Sequence, residues 1–492
     1  MTENMKHNNR TAAGLLALLL ISGTIISCGD SSTAEPGADT AADTTAAVTD
    51  AVTAEQEADR LAELGDRDFT GQTYTVLDSN PNDAMHINIP GDTQTGELIN
   101  DTLWSRDAFL EETYGITINY EQKTSGGAAL LRASVMAGDR AYDLVFATAG
   151  GDMKTMTTQG VLANLCDMEH LSLDQKWWSS LMYDTLRFND AMYFTTGDIT
   201  PTMYQIAACT FVNTKLADDY DIECDFVAEV RNGTWTWDLV GELSKDIAQD
   251  LNQDGQWAYT DDLFGNIGCF STYLIPGCAI DYVTLSEDGS SLSLAPITDR
   301  TVDAVEKLQR VFPQKSIKSS GNDFSNSAFK EDRALFLTHI TESAAVHLRD
   351  MESDYLILPV AKYDAAQDGY RTGVNLWATA YVGVPATAAD EKTGFITEAM
   401  AYWSYKNMRP IAFDLTYKAK TVRDERSVEM LDIVFDNLYC SFSDLYNFGG
   451  LNDVYWSILC SDEGIASAVE AISGKAEGAI KDFIETWGNT EQ

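Results

Sequence analysis

The 492-residue chain is short of positive charge: 33 Lys and Arg stand against 76 Asp and Glu, for a formal net charge of −43. A surface that acidic excludes nucleic acid as a partner, and it excludes binding to an anionic membrane by charge alone. Histidine is scarce, with five residues, and no CxxC pair occurs, so no convincing zinc site can be assembled. No G-x-S-x-G elbow, HExxH helix or phosphate-binding GxxxxGK[ST] loop is present, which removes the commonest signatures of hydrolases and nucleotide enzymes. The one long apolar run, LLALLLISGTII, is too short for a comfortable membrane span. After Cys28 seven cysteines remain, an odd number at irregular spacing, which argues against a full disulfide framework. Cys269 and Cys278 are close enough in sequence to pair; the others read as small buried apolar residues.

What is present begins at the N-terminus. Lys6 and Arg10 precede the apolar run, which ends in Ile25-Ile26-Ser27-Cys28. These four residues resemble the lipobox of bacterial lipoprotein signal peptides. The resemblance implies removal of residues 1–27 and a lipid, palmitate included, on Cys28, holding the protein at the extracellular face of the cytoplasmic membrane. An ordinary secretory peptide with an incidental cysteine is the alternative. From Gly29 to Asp66 the chain is Ala, Thr, Asp and Ser with ten acids and one base, Arg60. Such a segment buries too little to offset its ordering entropy, so residues 28–66 are expected to be a flexible tether.

The stretch DLNQDGQWAYTD has the spacing of an EF-hand loop. Asp250, Asn252 and Asp254 fall at positions one, three and five, Gly255 at six, Gln256 at seven and Asp261 at twelve. Calcium requires six to eight oxygens, and the glycine permits the sharp turn around it. Position twelve is Asp where Glu is usual, with Asp262 beside it. An Asx-rich surface turn that binds nothing is the other reading. No second loop of this kind occurs, so a structural Ca2+ clip is expected rather than a sensor, which works by opening a helix pair.

The body alternates strands and helices: TYTVLD (73–78), LWSRDAFLEETYG (103–115), ITINYE (116–121), ALLRASVMAG (129–138) and YDLVFAT (142–148). That order predicts an α/β fold with helices packed on a sheet. Ligands of such sheets bind beyond the carboxyl ends of the strands. Asp78, Asn80, Thr148 and Asp152 are therefore candidate ligand residues, with turn chemistry as the alternative for each.

A wider resemblance rests on YGITINYE, on Tyr142-Asp143-Leu144-Val145, and on Gly160-Val161-Leu162-Ala163-Asn164-Leu165. LDQKWW, YFTTGD, TFVNTKLADDY, GTWTWD, RALFLTHI and YVGVPATA follow in order. Together these resemble the extracellular solute-binding proteins of ABC importers, the group that includes maltose-binding protein. The resemblance implies a two-lobe, type II periplasmic-binding-protein-like α/β fold with a hinge. Lobe I would take residues 67–205 and 372–415, and lobe II residues 206–371 and 416–492. A solute would sit in the cleft between them, and a membrane permease would read the closed form. A monomer is expected.

Abundant Trp and Tyr with many acids suit a neutral oligosaccharide, whose C–H faces pack on rings while its hydroxyls meet carboxylates and amides. Trp177 and Trp377 join the candidate ligand residues on that ground, and Asp198 joins them as another strand- or turn-end residue with turn chemistry as its alternative, whereas Trp235 and Trp237 read mainly as core. Three rivals stay open. A surface glycoside hydrolase needs only two carboxylates, which this chain has in excess. The same fold binds peptides or other solutes. A glycan-binding lipoprotein need not have a permease.

Overall fold

The structure, a computed structural model, describes residues 59–80, 87–313, 322–418 and 425–488. The signal segment, Cys28 and the tether through residue 58 lie outside the described residues. The end of the expected tether is folded instead. Asp59 accepts the Leu61 N–H and caps a short helix, Arg60–Leu64. Leu64 is buried, and Arg60 donates to Glu398 (3.1 Å) and to the His170 carbonyl (2.9 Å). Leucines at 61 and 64 give this turn an apolar edge that the preceding Ala- and Thr-rich stretch lacks, so docking offsets the entropy of ordering.

Twelve strands are described: β1 Thr73–Ser79, β2 Thr117–Lys123, β3 Leu144–Thr148, β4 Ala208–Asn213, β5 Phe264–Ile267, β6 Val283–Leu285, β7 Leu292–Leu294, β8 Ala334–Ile340, β9 Tyr355–Pro359, β10 Thr372–Gly373, β11 Ala380–Gly383 and β12 Leu438–Tyr439. They build two four-stranded sheets, ordered β2-β1-β3-β11 and β5-β8-β4-β9. In the first, β1, β2 and β3 are parallel and β11 returns antiparallel to β3. Helices Leu98–Tyr114 and Gly127–Ala137 make the crossovers, and each ends on a glycine in the left-handed region, Gly115 and Gly138. At Gly115 a side chain is also sterically excluded, because a Cβ would lie 2.4 Å from Thr70 Oγ1. β3 is buried at every position, as a parallel strand covered on both faces must be. In the second sheet Trp235, fully buried, donates its indole N–H to the Pro359 carbonyl (2.9 Å).

The chain passes between the sheets in neighbouring segments. Asn375 N–H donates to the Ile206 carbonyl (3.1 Å), and Ala207 bridges Val374. On the other side of the same segment β10 pairs parallel with β12, and Thr372 N–H donates to the Asn437 carbonyl (2.8 Å). Residues 372–375 are thus the middle strand of a three-segment ribbon. Gly373 is required there, since a Cβ would fall 2.2 Å from the Thr272 carbonyl oxygen. Cys269 and Cys278 do not pair. None of the seven cysteines from Cys166 onward forms a disulfide, and Cys209, Cys269, Cys278 and Cys440 are buried. Among the described residues no helix is long and apolar enough to cross a membrane.

Candidate functional site

The carboxyl ends of β1 and β3 and the amino end of β11 form one edge of the first sheet, because Thr148 pairs with Ala380 and Ser79 with Ala147. Asp78, Asn80 and Thr148 are buried along this edge. Asp152, in the irregular turn Ala149–Met153, accepts the Ser79 hydroxyl (2.5 Å) and the Ala128 N–H (3.0 Å), which locks β1 to the helix beginning at Gly127. Trp377 completes the edge. Its N–H donates to Asn375 Oδ1 (3.1 Å), and its six-membered ring lies against Gly150, where a Cβ would come within 2.7 Å of Cε3. The side chain is 71% exposed, an unusual state for tryptophan. Five of the seven predicted ligand residues, from positions 78 to 377, therefore meet beside the crossing ribbon.

The other two are placed differently. Trp177 is buried, and its indole N–H donates to Glu398 (3.1 Å); the neighbouring Trp178 donates to the second oxygen of the same carboxylate (2.9 Å). Glu398 also accepts the Ser172 N–H (3.2 Å) and Arg60, so one fully buried carboxylate gathers four donors. Asp198 is buried against the Tyr204 hydroxyl and within 3.5 Å of Arg409, which also reaches Asp436 (2.7 Å). Burial raises the Asp198 carboxyl to about 6, partly opposed by the Arg409 charge and the Tyr204 hydrogen bond.

The second sheet presents its own edge to the ribbon. β8 ends at Ile340, and Thr341 donates to the carbonyls of Ala207 (N–H, 2.9 Å) and Tyr204 (hydroxyl, 2.7 Å). Phe270, just beyond β5, packs on His339 (5.6 Å between centroids) and on Trp456 (5.8 Å). Phe270 and Trp456 are only half-buried. His339 is buried, with one ring nitrogen 2.6 Å from Ser343 Oγ; burial and His347 lower it to about 4, so the ring is neutral at pH 7. Sequence reasoning missed this aromatic patch. Phe270 follows an unremarkable strand, and Trp456 has the spacing of a core helix residue; only Gly268, in the left-handed region after β5, hints at a sharp turn. A groove of about 400 Å³ lined by Trp237, Lys307 and Arg310 also carries Gly265 and Asn266, toward the other end of β5, and contains none of the predicted residues.

In the loop from Asp250 to Asp262, Asp250 accepts N–H groups from Gln253 (2.7 Å) and Gly255 (2.8 Å). Asn252 accepts from Asp254 (2.9 Å), Asp254 from Gln256 (2.7 Å), and Asp261 from the Thr260 hydroxyl (3.0 Å). Gly255 has φ 77°, as the sixth position requires. The donors are all oxygens, which suits a hard cation. Yet no group of three or more His, Cys, Asp or Glu converges as a metal site among the described residues. Asp262, fully buried, closes the loop by accepting from Leu251 (3.1 Å) and Ala258 (2.8 Å).

Comparison with known proteins places this architecture. Residues 96–403 match the family model of bacterial extracellular solute-binding proteins. No curated protein is significantly similar in sequence. Among solved structures, the chain resembles a cyclo/maltodextrin-binding protein complexed with maltotetraose (13% identity, TM-score 0.54, covering 84% of this chain and 97% of that one). It also resembles the cyclic α-maltosyl-1,6-maltose binding protein from Arthrobacter globiformis (12%, 0.53, 83% and 99%). A third is the galacto-N-biose-/lacto-N-biose I-binding protein of the ABC transporter from Bifidobacterium longum (12%, 0.52, 85% and 97%). At these identities the likeness speaks for the two-lobe, type II periplasmic-binding-protein-like fold. With the family model covering more than half of the sequence, the chain belongs to the bacterial extracellular solute-binding protein family.

Proposed function

We propose that the protein is the substrate-binding lipoprotein of an ABC importer and captures a neutral oligosaccharide between its two lobes. The observation that carries this reading is the 71% exposed indole of Trp377, held against Gly150 at the sheet edge that also carries Thr148, Asp152 and Asn80. An exposed ring next to hydroxyl, carboxylate and amide groups offers stacking and hydrogen bonding together, the pair of contacts a sugar needs. The aromatic patch of Phe270 and Trp456 supplies a second wall. The oligosaccharides for which the three structural relatives are named, or with which they are complexed, support the same class.

In this reading residues 67–205 and 372–415 form lobe I, the rest of the body forms lobe II, and closure about the ribbon presents the loaded form to a permease. The ligand favours that form because it then touches both lobes. Lipidated Cys28 tethers a monomer to the extracellular face of the membrane. The Asp250–Asp261 loop acts as a structural calcium clip, and the protein is a carrier rather than an enzyme.

A thermal-shift screen of the protein from Gly29 onward, with calcium, tests the reading against neutral oligosaccharides, free sugars, peptides and amino acids. A shift of several degrees with one glycan family is expected, by mass action on the native form. Shifts with peptides alone would replace the substrate class. New reducing ends after incubation with the bound glycan would make the protein a hydrolase. For the anchor, Cys28→Ser should abolish palmitate labelling; undiminished labelling would overturn it.

A further inference from the structure

We propose that Asp444, Tyr282 and Tyr381 form a recess that takes hydroxyl groups of the bound carbohydrate, a subsite deeper than the Trp377 edge; this rests on the oligosaccharide reading above. The three side chains come from distant parts of the chain. Tyr282 directly precedes β6, Tyr381 lies in β11 of the first sheet, and Asp444 belongs to the short helix Phe442–Tyr446. All are more than nine-tenths buried, at 3%, 0% and 7% exposure. Asp444 Oδ1 and both phenol oxygens nevertheless make no hydrogen bond. The hydroxyls of Ser443, next to Asp444, and of Thr372, in the ribbon, are in the same condition. Buried polar atoms are ordinarily paired, so several orphans in one neighbourhood point to a polar guest.

The grouping has an electrostatic signature as well. Burial raises both phenols, the Asp444 charge adds to that, and burial raises Asp444 itself to about 6. Ser271 lies near the Tyr282 hydroxyl and Cys440 near that of Tyr381, close enough to shift both groups, but neither contact reaches hydrogen-bond geometry.

Asp444 has an ordinary structural task too. Its Oδ2 accepts the Ser441 N–H (2.8 Å) and hydroxyl (2.7 Å), the reciprocal arrangement of a capping box. That task occupies one oxygen and fixes the carboxylate plane, which leaves Oδ1 held in place. Two phenol O–H groups and one carboxylate oxygen complement a sugar diol: the diol donates to Oδ1, and the phenols donate to its oxygens. Arg371, the nearby guanidinium, is already paired with Asp281 (2.9 Å). The recess adjoins the edge already described. Tyr446 lies beneath Lys154 (4.9 Å to the ring centroid), which follows the turn bearing Asp152, and Tyr381 is paired with Ala147 in the strand that ends at Thr148.

The test is calorimetric titration of the full chain with maltotetraose, raffinose and lacto-N-biose, followed by the tightest of them against Tyr282→Phe, Tyr381→Phe and Asp444→Asn. Each Tyr→Phe variant should lose about three- to tenfold in affinity, because a buried hydrogen bond to the ligand is gone. The free variant should melt at or above the wild-type temperature, because the deleted hydroxyl was unpaired. Affinities within twofold of wild type in both Tyr→Phe variants, with binding still weakened tenfold or more in Trp377→Ala, would overturn the recess and leave the oligosaccharide reading intact. A wild type that binds none of the three sugars would overturn the reading and the recess together. Because Asp444→Asn also touches the capping box, the two phenol variants decide the matter.

Discussion

Replacing Trp377 by Ala should separate binding from stability more cleanly than any other single change. The side chain is 71% exposed and lies against Gly150, so its loss should alter stability by no more than about 0.5 kcal/mol. A sugar ring laid on the indole would remove roughly 60–80 Å² of apolar surface from water, a fraction of what a tryptophan buries in full. At about 25 cal/mol per Å² that contributes about 1.5–2 kcal/mol, or a 10- to 30-fold change in Kd. Titration calorimetry with the best ligand from the thermal screen reads the affinity, and urea unfolding of the free protein reads the stability. Gly150→Ala is the companion variant. Its Cβ would meet Cε3 at 2.7 Å, so the indole must shift, and affinity should fall by a smaller factor with the ring still present. Binding within twofold of wild type in Trp377→Ala would refute the stacking argument, whatever happened to stability.

Other outcomes follow from the same contacts. Glu398→Ala strands two indole N–H groups and the Arg60 guanidinium around an emptied buried position, and should cost about 3–5 kcal/mol in urea unfolding; a loss under 1 kcal/mol would show the carboxylate to be dispensable. Asp198, raised from 3.8 to about 6 by burial, binds its proton more tightly in the native state, so its contribution to stability is complete below pH 4 and is lost as pH rises to 6. Relative to Asp198→Asn, the wild type should therefore lose about 2 kcal/mol across that window, and parallel stability curves at pH 4, 5, 6 and 7 would contradict the assignment. The loop at Asp250 should raise the melting temperature in millimolar calcium over that in excess chelator; equal temperatures would end the calcium proposal.

The first three strands and their two helices were legible because glycine-ended helices alternate with short apolar runs, a pattern that needs no distant information. The same logic placed Asp78, Asn80, Thr148 and Asp152 at strand ends, where the structure has them. It could not distinguish Trp177 at a binding edge from Trp177 on a buried carboxylate, because Glu398 and the two indoles meet only in the folded chain. Asp198 is the same case, its setting decided by Arg409 on a helix from another part of the sequence. Phe270 and Trp456 are distant in sequence, and the patch exists only because the helix Leu451–Leu459 brings Trp456 to the turn after β5. The folded turn at Arg60–Leu64 was hidden by its neighbours, since a composition average over residues 28–66 drowns two leucines.

The ribbon at residues 206–208, 372–375 and 437–439 has a mechanical consequence. Three chain segments bonded side by side resist shearing and twisting, because either would break their backbone hydrogen bonds together, whereas bending across the ribbon strains only a few torsions. The two sheets are therefore coupled like covers on a single spine, with one soft coordinate. Gly373, seated against the Thr272 carbonyl in the middle segment, lies where that bend would concentrate, so a side chain at this position would push the spine away from its neighbour while leaving the Trp377 edge untouched.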